Sequence, residues 1–175
     1  NWQRRLQIRM AMSISPMFAR RKGESRIPVS FPNNGEHQMH IQPYLYFDGR
    51  CDDAINFYRD AIGAEVLMLM RFGEAPEGEG CAGPMPPADK VMHACLQIGD
   101  SQVLVSDGFA AGNPEFKGVS LSLNADDDAH ARVLFDALAK DGEVQMPLAE
   151  SFFATSFGML TDRFGVAWII VVSKP

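Results

Sequence analysis

The chain has 175 residues, 46% hydrophobic and 22% charged, with 16 Lys and Arg against 22 Asp and Glu, proportions that fit one cored globular domain plus an appendage. No run of about 18 apolar residues exists, so no membrane-spanning helix is expected. The three cysteines, Cys51, Cys81 and Cys95, are odd in number and form no CxxC pair, which argues against a disulfide framework or zinc knuckle and fits a reducing, cytoplasmic compartment.

Residues 1–38 hold seven basic side chains (Arg4, Arg5, Arg9, Arg20, Arg21, Lys22, Arg26) and two acids, Glu24 and Glu36. The nine basic and twenty acidic residues that follow leave the body near −11, a balance that repels nucleic acid. The basic segment is acid-poor like a transit peptide but lacks the apolar core of a secretory signal. Because Met39 opens the first patterned stretch, residues 1–38 are expected to be a disordered basic leader or a non-native extension. Pro28, Pro32 and Asn33-Asn34-Gly35 would break any regular element there. The domain proper is then 39–175.

In the body, 40–47 reads as a strand with Pro43 placed at the start of an edge. Asp48-Gly49 reads as a turn, and 52–62 as a helix with an acidic first turn, Ile55, Tyr58 and Ile62 at helical spacing, and Gly63 to end it. A strand over 64–72 follows. The stretch 73–90, with Glu74, Glu77, Glu79, four Gly and four Pro, is a long polar loop, either a lid or disordered. A hairpin, 91–98 and 102–106, turns at Gly99-Asp100. The order then repeats: strand 119–124, a helix opened by Asp126-Asp127-Asp128 with a stripe of Ala131, Leu134 and Leu138, strand 143–148, and a hairpin of 153–161 and 166–172. Asp162-Arg163 sits at its turn as a surface ion pair. Two βαβββ modules, 39–107 and 118–173, predict an α+β fold in which they form a cupped, mostly antiparallel eight-stranded sheet with two helices on its outer face.

Period-two alternation sorts the strand side chains. Leu45 and Phe47 oppose Gln42, Tyr44 and Tyr46. Met92, Ala94, Leu96 and Ile98 oppose His93, Cys95 and Gln97. Val103 and Val105 oppose Gln102, Leu104 and Ser106, and Val119, Leu121 and Leu123 oppose Ser120, Ser122 and Asn124. A polar face drawn from both modules suits a small-molecule cavity, although the solvent side of an antiparallel sheet alternates in the same way. Tyr44, Tyr46 and Leu104 favour the cavity, because a solvent face does not require them. Phe152, Phe153, Phe157 and Trp168 read as core or cavity wall.

The runs Pro43-Tyr44-Leu45-Tyr46-Phe47-Asp48-Gly49, Ala54-Ile55-Asn56-Phe57-Tyr58 and Gly63-Ala64-Glu65 resemble the opening of PhnB-like proteins. So do His93-Ala94, Ser106-Asp107, Met146-Pro147-Leu148, and Phe157-Gly158 with Thr161-Asp162-Arg163-Phe164-Gly165-Val166-Ala167-Trp168. These proteins form a branch of the vicinal oxygen chelate superfamily, which includes glyoxalases, bleomycin resistance proteins and extradiol dioxygenases. Some carry the label of a 3-demethylubiquinone-9 3-methyltransferase, yet no glycine-rich nucleotide-binding turn follows a strand here. Metal-dependent relatives hold a divalent ion with His and Glu from four strands. The resemblance places Gln42, Ser106, Ser120 and Ile169 at those positions, so no metal or other cofactor is expected.

The ligand-binding candidates are therefore Gln42, Tyr44, Tyr46, Ser106, Ser120, Ser122 and Ile169. His93 is the catalytic candidate, as a base near neutral pH. Cys95 shares its face, but side chains at i and i+2 run parallel and make a poor nucleophile pair. The expected function is binding of a small molecule by a cytoplasmic homodimer, the dimer being implied by the resemblance, without nucleic acid or membrane. The alternatives are a lyase, isomerase or dioxygenase-type enzyme with an atypical site, and a DNA-associated protein, which the acidic body disfavours.

Overall fold

The computed structural model describes residues 40–75, 86–108 and 114–174. The basic leader over 1–38 and the middle of the polar loop, 76–85, lie outside the described residues. Chain order is β1 (Tyr44–Tyr46), α1 (Cys51–Ile62), β2 (Glu65–Arg71), a 3₁₀ turn (Phe72–Glu74), β3 (Val91–Ile98) and β4 (Ser101–Ser106). The second module follows as β5 (Leu121–Asn124), α2 (Asp128–Leu138), β6 (Glu143–Ala149), β7 (Ala154–Thr161) and β8 (Ala167–Ser173).

Both helices begin and end where the residue chemistry dictates. Asp52 and Asp53 lie in the first turn of α1, where carboxylates meet the positive end of the helix. Gly63 closes it in the left-handed region at φ 66°, with Gly63 N–H donating to Arg59 O and Ala64 N–H to Tyr58 O. The Asp127 carboxylate caps α2 by accepting from His130 N–H at 2.7 Å. The buried stripe of α2 is Ala131, Phe135 and Leu138; Leu134, expected in it, is only half-buried, so the helix is turned slightly from its anticipated face.

The expected eight strands and two helices are present as two mixed four-stranded sheets, one per module, ordered β1-β4-β3-β2 and β5-β8-β7-β6. In each, the first strand runs parallel to the last and the others pair antiparallel. Identical order in both halves is the structural form of the sequence repeat. β1 is an edge strand of three residues, shorter than the expected 40–47. Pairing extends past its ends through Leu104 N–H to Pro43 O and Phe47 N–H to Ser106 O, both 2.9 Å. Pro43 thus supplies only an acceptor, which an edge permits.

α1 packs on β3, α2 packs on β7 and β8, and the helices touch each other. One apolar core runs through both modules, and aromatic rings cross the boundary between them: Phe47 meets Phe164 at 5.7 Å, and Tyr58 meets Trp168 at 5.7 Å. At its centre lies Asp162, only 3% exposed. One carboxylate oxygen accepts from Phe164 N–H at 2.8 Å and Val166 N–H at 3.0 Å; the other accepts from Tyr58 O–H at 2.8 Å and Trp168 Nε1–H at 2.9 Å. This corrects the expectation of a surface Asp162-Arg163 pair. Arg163 instead pairs with Asp141 at 2.7 Å and stacks over Phe57. Burial, reinforced by the neighbouring Asp162 charge, pushes the Tyr58 phenol well above its ordinary range, so it remains a proton donor.

Asp107 does similar work in the first module. It accepts from Cys51 N–H and Val91 N–H, each at 2.8 Å, and so ties the end of β4 to the starts of α1 and β3. Burial, then the Asp107 charge, pushes the Cys51 thiol up, leaving it inert. At the stem of the polar loop, Arg71 grips Asp52 with two hydrogen bonds of 2.9 Å, and Lys90 Nζ donates to Gly49 O at 2.9 Å. Among the described residues no helix is long and apolar enough to cross a membrane.

Candidate functional site

Strand register carries side chains onto the open face of the first sheet in two rows. Tyr44 pairs with Leu104, Leu104 with Cys95 and Cys95 with Met68; Tyr46 pairs with Ser106, and His93 with Met70. The opposite parity is buried: Leu45, Phe47, Ala94, Leu96, Val103 and Val105 all lie in the core. Ser106 is one register step beyond the Ala94–Val105 pair, which puts it beside His93. The second row therefore reads Tyr46, Ser106, His93, Met70 across four strands.

The two tyrosine rings stack at 4.9 Å with 22° between their planes. Tyr44 slants across β4 so that its hydroxyl lies 2.7 Å from Nδ1 of His93. Burial, reinforced by Tyr46, pushes the Tyr44 phenol up to about 12, and burial lowers the pKa of His93. Both groups are therefore neutral near pH 7. Tyr44 is 37% and Tyr46 45% exposed, leaving open ring surface that the core does not use. The Tyr46 ring lies against Gly108, where a Cβ would come within 2.5 Å of the ring. Gly108 also has φ +63°, so glycine is required there twice over. That residue was not singled out in the sequence, although it directly follows Ser106-Asp107.

The expected binding residues separate into three places. Tyr44, Tyr46 and His93 form the cluster just described. Ser106 adjoins it but is 3% exposed, and its hydroxyl is committed, donating to Met92 O and accepting from Gly108 N–H, both at 2.8 Å. Gln42, Ser120 and Ser122 line a groove of about 1020 Å³ between β5 and the part of the first module formed by the segment before β1 and the β3–β4 turn. There Gln42 Nε2 donates to Gln102 Oε1 at 2.6 Å, and Ile62, Leu121 and Leu134 supply apolar lining. Ile169 lies on the second sheet, paired with Ser122 on one side and Met159 on the other.

Those separations bear on the metal that the superfamily implies. Of the four positions, Ile169 has no donor atom, the Ser106 hydroxyl is already bonded, and Gln42 and Ser120 offer neutral oxygens. This set does not fit a divalent transition metal, which takes imidazole, carboxylate or thiolate. Among the described residues no group of three or more His, Cys, Asp and Glu is placed to hold one.

Cys95, on the face of His93, is only 9% exposed and sits between Leu104 and Met68. Trp168 is core as expected, at 2% exposed, but Phe152 is 94% and Phe153 42% exposed, which corrects their placement in a core or cavity wall. Phe152, Phe153 and Phe157 form an edge-on series at 4.9 and 5.1 Å leading onto the second sheet.

Comparison with known proteins gives a consistent picture. The family model of 3-demethylubiquinone-9 3-methyltransferase matches residues 39–171. Protein YjdN of Escherichia coli (strain K12) is 37% identical over 142 residues, covering 78% of this chain and 97% of that protein. The crystal structure of PA1353 from Pseudomonas aeruginosa is 42% identical and superposes with a TM-score of 0.69, over 79% of this chain and all of that one. The PhnB protein from Bacillus cereus is 26% identical with a TM-score of 0.64, over 77% of this chain and all of that one. The fosfomycin resistance protein FosX from Mesorhizobium loti shares the fold alone, at 9% identity and a TM-score of 0.52, over 79% of this chain and 94% of that one.

Proposed function

We propose that this chain, which belongs to the 3-demethylubiquinone-9 3-methyltransferase family, the PhnB-like branch of the vicinal oxygen chelate superfamily, binds a small molecule on the open face of its first sheet. It does so without a divalent metal ion. The observation that carries this reading is the Tyr44–Tyr46–His93 cluster: two stacked rings and a hydrogen-bonded imidazole, half-open on a face that core packing does not explain. Ligand sites combine apolar ring surface with a few fixed polar atoms in this way.

The protein works as a homodimer in the cytoplasm. Support for the dimer comes from the apolar side chains left exposed on both sheets, Met68 and Met70 on the first and Met146 and Phe153 on the second, which a second copy would cover. Free Cys51 and Cys95 accord with a reducing compartment. Methyl transfer does not form part of the reading. The β1–α1 connection, 47–50, holds one glycine and the β5–α2 connection, 125–127, holds none, so neither builds a glycine-rich phosphate cradle.

The test is a thermal-shift screen of small molecules on the wild type and on Tyr44→Ala/Tyr46→Ala, joined to metal analysis of the purified protein. A ligand present at 100 times its Kd stabilises the wild type by about 2.7 kcal/mol and leaves the double variant unmoved. Equal shifts in both proteins would remove the cluster from the site, and stoichiometric Ni, Zn, Fe or Mn would overturn the metal-free reading. A second reading, a lyase or isomerase, rests on His93, whose neutral imidazole is a ready base. Unchanged turnover in His93→Ala would dismiss it.

A further inference from the structure

A histidine offers one donor and one acceptor when neutral, and which nitrogen does which is set by its fixed partner. The Tyr44 hydroxyl is 2.7 Å from Nδ1 of His93, a distance that requires one proton between them. If the tyrosine supplies it, the remaining imidazole proton sits on Nε2. His93 makes no other hydrogen bond among the described residues. Since no buried side-chain nitrogen or oxygen there lacks a partner, Nε2 is an atom that solvent or a ligand reaches.

The surroundings show what would meet that N–H. The two rows, Tyr44–Leu104–Cys95–Met68 and Tyr46–Ser106–His93–Met70, contain no Asp, Glu, Lys or Arg. The Ser106 hydroxyl is used internally, which leaves the Tyr46 hydroxyl and His93 as polar groups beside flat aromatic surface. Both rows lack a carboxylate for a cation and a Lys or Arg for an anion alike, so the Nε2–H donor rather than local charge selects the ligand atom.

We infer that Tyr44 is a positioning residue that donates to Nδ1 and fixes His93 as the Nε2–H tautomer, so that the face takes a flat ligand through a carbonyl or phenolate oxygen. This rests on the binding reading given above and narrows it to a ligand class. The high phenol pKa of Tyr44 agrees with its keeping the proton it donates.

The tautomer is measurable without any ligand. Long-range ¹⁵N–¹H imidazole spectra of the full chain at pH 7.5 should show His93 with Nε2 protonated and Nδ1 bare, its signals assigned by their loss in His93→Gln. Tyr44→Phe should give a mixture of both tautomers; Tyr46→Phe should not. Unchanged His130 signals report that each variant is folded. A His93 protonated on Nδ1, or identical in Tyr44→Phe, overturns the positioning role.

The ligand class is then tested with 4-nitrophenolate at pH 8.5, against benzyltrimethylammonium as the charge-reversed probe. The phenolate should move the His93 Nε2 signal and bind about tenfold more weakly to His93→Phe, the worth of one hydrogen bond to a charged group. If the ammonium ion alone binds at this cluster, the oxygen-ligand class fails while the binding reading stands. If neither probe disturbs Tyr44, Tyr46 or His93, both fail, whatever the tautomer.

Discussion

Replacing Asp162 by Asn is predicted to destabilise the protein by about 4 kcal/mol, because the change keeps shape and size while removing half of the acceptor capacity. The carboxylate serves four donors, Phe164 N–H, Val166 N–H, Tyr58 O–H and Trp168 Nε1–H. An amide can accept from one pair only and turns its own N–H groups toward the other. Two buried donors are then orphaned, at about 1–3 kcal/mol each. Tyr58→Phe removes a single donor and should cost about 2 kcal/mol, in the range for a hydrogen bond to a charged group. In the Asp162→Asn background the same change should cost almost nothing, giving a coupling of about 2 kcal/mol. Urea unfolding followed by circular dichroism and tryptophan fluorescence measures this as a shift in midpoint at constant slope. Costs that simply add, or a Tyr58→Phe cost below about 0.5 kcal/mol, would refute the view that Asp162 latches the two modules together. The sign with pH is also set. The folded-state pKa of Tyr58 is raised above 10.0, so its contribution is whole below that value and is lost as pH rises beyond it.

His93 predicts an opposite slope at the other end: its folded pKa is depressed below 6.5 by burial. Stability should therefore fall as pH drops through that value, an effect absent in His93→Gln when the two unfolding curves are compared from pH 8 to pH 5. Gly108→Ala should cost about 1–3 kcal/mol, since it combines a left-handed backbone with a Cβ inside the Tyr46 ring. The same variant should unstack Tyr46 from Tyr44, visible as altered tyrosine ring shifts, and unperturbed rings would contradict the packing. Gly158→Ala should cost about 1–3 kcal/mol through overpacking, because its Cβ would meet Phe135 at 2.6 Å and the Leu148 backbone at 3.0 Å. Relief by Phe135→Leu in the same chain would identify the clash, and lack of relief would locate it at the backbone.

Local pattern made most of the fold legible. The strand over Val91–Ile98 has the predicted bounds, and the two acidic helix starts and Gly63 fall where capping chemistry requires them. Alternation also assigns Ala94, Leu96, Val103 and Val105 to the core, where they lie, but it places Val119 on the apolar face, whereas that residue is exposed just before β5. What local pattern lacks is the identity of the buried partner. Asp162 looked like a turn residue because it sits beside Arg163 and before Phe164-Gly165, and nothing within a few residues reveals that Tyr58 of the other module donates to it. A buried carboxylate is readable only once four donors converge on it. Phe152 erred in the opposite direction: its apolar ring promised burial, whereas its place just before β7 leaves it outside.

The candidate site shows the same division more sharply. Parity places Tyr44 and Tyr46 opposite the core-facing Leu45 and Phe47, as the structure has them, but parity is a property of one strand, and a site is a property of strand order. Because β1 pairs with β4 rather than with β2, Tyr44 comes within reach of His93, 49 residues away. Because the segment before β1 and the β3–β4 turn share a groove with β5, Gln42 lines it with the Ser120–Ser122 segment and not with the tyrosines. Ile169 stands a strand further in. The four positions that the resemblance matches to metal ligands thus lie in different places and form no donor set, whereas Tyr44 and His93, outside those four, meet through a hydrogen bond. The residues that build the core, with Asp107 and Asp162 fixing the strand ends, are a different set of side chains from Gln42, Tyr44, His93, Ser120 and Ile169, so the scaffold does not depend on what those positions hold.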